Sequence, residues 1–284
     1  MEKELKYWVD LWEKQEKGRH KQQEFWDNRA DFFDGKVFTE GKIGSNVVKL
    51  LKSKNMLSKD MKVLDIGCGP GKHTLPMAKE VKSITALDIS ENMLKHLQKN
   101  MESTNILNIH PISLDWKDVD LKGRQWEKAF DLVFASMTPG VFNYETLEKM
   151  LMACRKYCYL SGFVRRSDRL ENEIADYIYE KYQLSPKKID KVYYVFNILW
   201  QLDYTPEIEY IHRKWEDDMT VEEAYSLYTD KMSSMVSLSE EDREKIKKIL
   251  EHKSHKGKVT EKTEVIQGIL TWKCPPYSYP SKKL

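Results

Sequence analysis

The run Val63-Leu64-Asp65-Ile66-Gly67-Cys68-Gly69-Pro70-Gly71-Lys72-His73-Thr74 constrains this chain more than any other. Four residues of strand character lead directly into three glycines at G-x-G-x-G spacing, and a helical pattern through Leu75, Met77 and Ala78 follows. A strand that turns at glycines into a helix opens an α/β unit whose loop lies against a ligand. Glycine allows the tight turn and lets bare backbone approach the bound molecule. The first N–H groups of the helix have no intrahelical partner and face the same space.

The pattern continues downstream. Ser83–Leu87 reads as a second strand ending at Asp88, and Ser90 caps a helix through Met93, Leu94 and Leu97. Ile106–Ile112, Phe130–Ala135 and Tyr157–Val164 read as further strands. Strands alternating with helical stretches predict an α/β fold, a mostly parallel Rossmann-like sheet covered on both faces. Residues 169–184 and 190–204 read as helices. Glu207–Asp217 alternates as a strand, Thr220–Glu223 is a capping box, Ser239 starts another helix, and Thr263–Lys273 is a last strand. Near the N-terminus, Tyr7, Trp8, Leu11 and Trp12 form an apolar helical stripe, and Phe25–Phe33 is rich in aromatic residues.

Two ligand classes use such a glycine loop. The dinucleotide fingerprint G-x-G-x-x-G requires a third glycine where this chain has Lys72. Asp65, two residues before the first glycine, would repel a diphosphate and suits a ligand bearing an ammonium group. Asp88, 17 residues after Gly71, suits a ribose diol. These features favour S-adenosylmethionine over NAD.

Residues 62–140 resemble the class I S-adenosylmethionine-dependent methyltransferases, through VLDIGCGPG, ITALDIS, LDW at 114–116 and FDLVFASM at 130–137. The likeness is to the small-molecule type, similar to ubiquinone- and menaquinone-biosynthesis methyltransferases. It implies a seven-stranded sheet with an antiparallel last strand. It also implies that Asp65, Gly67, Gly69 and Gly71 hold the methionine and ribose portion, with Cys68 and Ile89 adjoining, and that Asp88 binds the ribose. Asp115 resembles the residue that meets the adenine amino group, Trp116 would flank the ring, and Ser136 and Met137 would lie beside the reactive methyl. The segment Phe25–Phe33 resembles a lid helix, with Trp26 and Arg29 near the pocket. The implied organisation is a helical lid over 1–44, a donor-binding core over 45–217, a helical insertion or cap over 218–260, and the last strand with a tail over 261–284.

A sulfonium donor makes its methyl group electrophilic, so alignment and exclusion of water supply much of the catalysis, and a general base is needed only where the nucleophile carries a proton. No triad is visible. Candidates for the acceptor side are His20 and Arg29 in the lid and Thr138, Asn143 and Tyr144 after the fourth strand. Arg165, Arg166, Tyr193, Tyr194, Asn197, Trp200 and His212 follow later in the chain. The expected acceptor is a small molecule. An RNA or protein acceptor, or a non-catalytic regulatory protein on the same fold, are the alternatives. With 47 basic and 45 acidic residues, net charge gives no general attraction to nucleic acid. No stretch approaches the roughly 20 apolar residues of a membrane span. A homodimer is one arrangement the sequence permits, and the expected compartment is the cytoplasm. Cys154 and Cys158 stand four apart on an expected helix and read as buried packing residues, so no metal is expected. The lysines of 245–258, with His252 and His255 among them, read as solvated surface.

Overall fold

Val63, Leu64 and Ile66, and likewise Leu132, Val133, Phe134 and Ala135, are almost wholly shielded from solvent. Strands apolar on both faces belong in the middle of a sheet covered by helices. In the computed structural model, which describes residues 2–16, 23–39, 41–184, 191–233 and 235–274, these segments are β1 (Lys62–Ile66) and β4 (Phe130–Ser136). β2 (Ser83–Asp88) and β3 (Ile109–Ser113) lie to one side of them. β5 (Cys154–Asp168), β7 (Lys258–Lys273) and β6 (Glu207–Thr220) lie to the other, giving the order β3-β2-β1-β4-β5-β7-β6. The pairs β1–β2, β2–β3, β1–β4 and β4–β5 are parallel, and the last strands are antiparallel. This is the expected seven-stranded Rossmann-like sheet. Strand order reverses between β1 and β4, and in open α/β sheets ligands bind at such a switch point, here beyond Ile66 and Ser136.

The helices of this region are α4 (Gly41–Ser53), α5 (Thr74–Ala78), α6 (Glu91–Thr104) and α7 (Tyr144–Ala153). α6 starts as expected at Ser90, whose hydroxyl accepts the Met93 N–H. It stops at Asn105 in the left-handed conformation, which delays β3 to Ile109 instead of Ile106. α7 ends at Ala153, and Cys154 is already extended (φ −80°, ψ 134°). Cys154 and Cys158 are therefore on β5, not on the helix expected from their spacing.

Upstream lie α1 (Glu2–Glu16), α2 (Gln23–Asp27) and α3 (Ala30–Thr39). α1 buries Leu5, Val9 and Trp12, while Tyr7 is 57% exposed. The buried stripe is thus turned from the expected one, of which Trp12 keeps its place. The reason is the neighbour: Trp8 lies edge-on to Tyr193 of α9 (Lys191–Gln201), with ring centroids 5.2–5.4 Å apart in the Tyr7–Trp8–Tyr193 chain.

Among the described residues, those within Met1–Gly162, Lys191–Glu209 and Gly268–Leu284 form one compact unit. Those within Phe163–Asp190 and Tyr210–Gln267 form a second, a wider span than the insertion expected at 218–260. The difference comes from α8 (Arg169–Lys181), which joins α10 (Val221–Ser233) and α11 (Glu240–Lys253) around Ile174, Ile178, Tyr228, Met232, Ile246 and Leu250. Glu261 of β7 caps α8 by accepting the N–H groups of Leu170 and Glu171, each at 2.8 Å, and it also takes the Tyr228 hydroxyl. Asp242 is fully buried and accepts from Tyr182, Lys181 and Ser239 at 2.6–2.7 Å and from Tyr177 at 2.9 Å.

Although burial opposes the charge on Asp242, those donors hold its carboxyl far below the ordinary carboxylate range. Asp242→Asn keeps the volume and loses the charge-assisted bonds, which is expected to cost about 1.5–3 kcal/mol at neutral pH. A depressed acid stabilises above its unfolded pKa and loses that contribution as pH falls toward the folded value. Urea melts of the two proteins should therefore converge as the pH drops progressively below about 4.

Candidate active site

The glycine loop is tied down by backbone. The N–H groups of Gly67 and Cys68 both donate to the Leu87 carbonyl, at 2.8 and 2.9 Å. Gly67, Gly69 and Gly71 have φ of +72°, +53° and +100°. At two of them the space is also taken: a Cβ on Gly67 would lie 2.0 Å from Thr138 Oγ1, and one on Gly71 2.6 Å from Leu97 Cδ1. At Gly69 the nearest atom, Met93 Sδ, is 4.0 Å away. Gly69 thus presents bare backbone to open space, which is what a bound ligand needs.

Two carboxylates flank this loop. Asp65, next to last in β1, is 2% exposed and accepts the Thr74 hydroxyl at 2.6 Å. Burial, with the Asp88 charge adding to it, pushes its carboxyl up to about 7. Asp88 ends the neighbouring β2 and accepts the N–H groups of Gly69 (2.8 Å) and Ser90 (2.9 Å). Burial outweighs those bonds and raises its pKa as well. A carboxylate offers about four acceptor sites, so Asp88 keeps capacity for the hydroxyls of a ligand. Cys68 is buried, and burial pushes its thiol up, so it contributes backbone and not a nucleophile. Ile89, half-buried, lies between Asp88 and the cap of α6.

At the tip of β4, Ser136 Oγ is 3.3 Å from His73 Nε2 and 3.1 Å from Ser161 Oγ on β5. Met137 follows at φ +54°, a conformation L-residues rarely hold, and its N–H donates to the Ser161 carbonyl at 3.2 Å. His73 and Ser161 were not among the candidates. His73 sits two residues past Gly71 in the loop motif itself, whereas Ser161 has no sequence signal beyond lying in an apolar strand.

The remaining candidates separate by what their side chains already do. Thr138 is buried against Gly67, its hydroxyl accepting the Gly140 N–H at 3.0 Å and its carbonyl accepting Lys191 Nζ at 2.7 Å. Asn143 caps α7 through a 2.9 Å bond from the Thr146 N–H. Tyr144 meets Glu148 at 3.5 Å, and burial with that carboxylate raises the phenol to about 12, so it is neutral at physiological pH. Asp115 caps the 3-10 turn Trp116–Asp118, accepting the Lys117 N–H at 3.1 Å, with Lys117 Nζ 3.3 Å from its other oxygen. Trp116 is 2% exposed and donates its indole N–H to the Thr146 carbonyl at 2.9 Å. Its ring is shielded beside the start of α7.

In the segment of α2 and α3, Trp26 is half-buried, edge-on to Phe25 at 5.1 Å and 6.2 Å from Phe33, and the Arg29 guanidinium lies 3.8 Å over the Phe25 ring. Carboxylates anchor this segment. Asp27 accepts the Ser90 hydroxyl at 2.6 Å and the Asn92 N–H at 3.2 Å. Asp31 and Asp34 bracket His96 at 2.9 and 3.1 Å. Asn100 donates both to Asp34 (2.7 Å) and to the Pro70 carbonyl (3.1 Å) of the glycine loop. The three acids recur at helical spacing, a signal that could have been read. His20 lies outside the described residues. On α9, Tyr193 and Trp200 are exposed, Tyr194 is buried, and Asn197 bonds to the Tyr193 carbonyl at 2.8 Å. Arg165, Arg166 and His212 belong to the second unit, where Arg166 is held by Asp168 at 2.5 and 2.9 Å.

The sheet order, with a glycine loop at its switch point, is that of a Rossmann-like methyltransferase fold. Residues 63–162, about a third of the chain, match the methyltransferase domain family. A candidate methyltransferase structure from Bacillus halodurans superposes with a TM-score of 0.51 at 14% identity, over 81% of this chain and 99% of that one. Phosphoethanolamine N-methyltransferase 2 of Haemonchus contortus, solved with phosphomonomethylethanolamine and S-adenosylhomocysteine, superposes at 0.50 and 15% identity, over 88% of this chain and 59% of that one. Ribosomal RNA small subunit methyltransferase A of Wigglesworthia glossinidia brevipalpis is 40% identical over 76 residues, 27% of this chain and 28% of its own. An uncharacterized protein of Haemophilus influenzae is 29% identical over 129 residues, 44% of this chain and 46% of its own. The chain thus spans less than half the length of these curated relatives.

The glycines predict a separation of roles. Gly67→Ala meets Thr138 and a left-handed φ together and is expected to cost about 2–4 kcal/mol of stability. Gly69→Ala meets only the φ penalty, about 1–2 kcal/mol, yet should weaken S-adenosylhomocysteine binding at least tenfold. Thermal melts beside calorimetric titrations of both variants check this pattern.

Proposed function

We propose that this chain transfers a methyl group from S-adenosylmethionine to a small-molecule acceptor. The carrying observation is the pair Asp65 and Asp88, two raised carboxyls at adjacent strand tips on either side of a glycine loop. Such a pair attracts a cationic amino-acid nucleoside and repels a diphosphate. Bound there, the donor supplies a sulfonium-activated methyl group: the new bond forms as the carbon–sulfur bond breaks, and the sulfur leaves with the electron pair.

Asp65 faces the donor's ammonium end, with Thr74 orienting its carboxylate. Asp88 takes the ribose hydroxyls, Gly67, Cys68, Gly69 and Gly71 supply close backbone, and Asp115 and Ile89 meet the adenine side. Ser136, Met137 and His73 line the reactive end, where the imidazole stands in reach of a proton on Ser136 or on an acceptor hydroxyl or amine. The lid of α2 and α3, with Trp26 and Arg29, excludes water. Asp27 anchors it beside Ser90, two residues from Asp88. A lid so placed, together with the near-neutral charge, supports a small acceptor. Thr138 shapes the acceptor side through its fit against Gly67, while Asn143 and Tyr144 serve through the start of α7.

An RNA acceptor is the second reading, favoured by the match to a ribosomal RNA methyltransferase over part of the core. Incubation with donor and fractionated cell extract separates the two. Formation of S-adenosylhomocysteine driven by the small-molecule fraction supports the first reading. Turnover with the RNA fraction and a salt-dependent gel shift would replace it with the second. Asp88→Ala should abolish donor binding, and undiminished binding in that variant would remove the assignment of the site.

Asp65 adds a pH dependence. Its carboxyl is raised, so it is substantially protonated below about 7 and attracts the donor's ammonium only as it ionises above that. Donor affinity should climb as the pH passes from 6 to 8, by up to about tenfold per unit on the acid side. Asp65→Asn should bind more weakly and flatten this slope in calorimetric titrations.

A further inference from the structure

Three of the four cysteines converge far from the glycine loop. Cys154 is the first residue of β5, Cys158 is in the same strand, and Cys274 directly follows β7, the neighbour of β5 in the sheet. Cys154 and Cys158 are 0% exposed and Cys274 6%. Cys158 Sγ is 3.7 Å from Cys274 Sγ, Cys154 Sγ is 2.7 Å from Cys274 Sγ, and all three sulfurs lie within 4.8 Å of one another. Cys274 is fixed by its backbone, its N–H donating to the Lys156 carbonyl at 2.7 Å. Between Cys154 and Tyr157 the register against β4 slips, a bulge of the kind that re-aims a side chain.

We infer that Cys154, Cys158 and Cys274 form a binding site for a soft, thiophilic metal cation of the Cu+, Zn2+ or Cd2+ class. Packing alone asks only that each side chain fill its space; it does not ask three sulfurs from two strands to meet. A metal–sulfur bond of about 2.3 Å sets sulfurs on one ion roughly 3.8–4.0 Å apart. The Cys158–Cys274 separation and the outer limit of the cluster bracket that value, and a side-chain rotation of about 1 Å at Cys274 admits the ion between it and Cys154. Sulfur-only donors select soft ions over magnesium, calcium or manganese, and three of them suit a trigonal ion or a tetrahedral one with an open position. Lys128, bonded to the Leu151 carbonyl at 3.1 Å, brings positive charge close to Cys154 and Cys274 and offsets the excess negative charge of three thiolates. Binding exchanges up to three thiol protons for one cation, with no change of oxidation state.

The site is separate from methyl transfer. Cys154 pairs with Phe130 at the start of β4, whereas Ser136 at the donor end pairs with Ser161. Six residues of strand put about 20 Å between those ends. An ion here would staple the end of β7 to β5 and not touch the acceptor.

The test uses the full chain, reduced and stripped with chelator, then titrated with Cd2+ alone. One equivalent should be retained after desalting, with a thiolate-to-cadmium charge-transfer band and release of two to three protons per ion. Cys154→Ser, Cys158→Ser and Cys274→Ser should each weaken retention at least tenfold, while Cys68→Ser should not. Cd2+ should leave S-adenosylhomocysteine affinity unchanged, so failure here does not bear on the donor site. Proton release is read on the unaltered protein, so a variant that does not fold leaves the test intact. Absence of stoichiometric uptake would overturn the inference. So would full retention in folded Cys274→Ser, or a Cys154–Cys274 disulfide whose reduction restores no uptake.

Discussion

Two backbone N–H groups meeting one carbonyl hold the glycine-loop end of this domain together. Gly67 and Cys68 both donate to Leu87, which locks the tip of β1 onto the tip of β2. Every later feature follows from that bond pair. The chain must turn with positive φ at three places, so glycines are required, and Asp65 and Asp88 are forced to neighbouring strand ends. Left alone, two shielded carboxylates at that spacing repel. The Thr74 hydroxyl and the Gly69 and Ser90 N–H groups offset part of the cost of burying them, and what remains, burial first and the neighbouring charge second, is the raised carboxyl of Asp65. Holding Asp65 ionised costs about 4 kcal/mol relative to water. A cationic ligand returns much of that energy, which is a reason for the binding site to be poorly stabilised when empty.

The parts legible in the sequence are those settled by local rules. The glycine spacing, the Ser90 cap, the alternation of β6 and the apolar runs of β1 and β4 depend on residues within one or two turns of each other, and each stands where the pattern put it. The carboxylates at 65 and 88 were legible for the same reason: their distance from the glycines is a matter of strand length. Roles that depend on partners remote in sequence were not legible. Trp116 donates its indole N–H to the carbonyl of Thr146, 30 residues on, a contact that no local pattern signals. The i, i+4 spacing of Cys154 and Cys158 suits a helix, yet the sheet offers backbone partners on both sides at that point, and tertiary pairing outweighs the modest preference of either thiol.

The lid shows how an aromatic-rich segment can mislead. Phe25, Trp26 and Phe33 suggest a helix seated by hydrophobic burial, yet Phe32 is 58% exposed and Phe33 37%. What seats the segment is a row of acids, Asp27, Asp31 and Asp34, meeting the N-terminal turn and one flank of α6. Asp27 lies where the helix N-terminus favours negative charge. Polar anchoring of this kind is weaker than a buried apolar face and opens at lower cost.

The thiol cluster and the glycine loop sit at opposite ends of the same sheet, and the sheet treats them differently. At the carboxyl ends, strands stop, carbonyls and N–H groups run out of partners, and ligands supply what is missing. At the amino end of β5 the ladder is still forming, with the Cys274 N–H already paired to Lys156. Side chains there, not backbone, are the reactive groups. A ligand at that end can only be one that side chains alone can hold, and three convergent sulfurs answer that requirement with a chemistry the donor loop does not share. β7 is the last of the described strands, and an ion held by Cys274 would tie its end to β5.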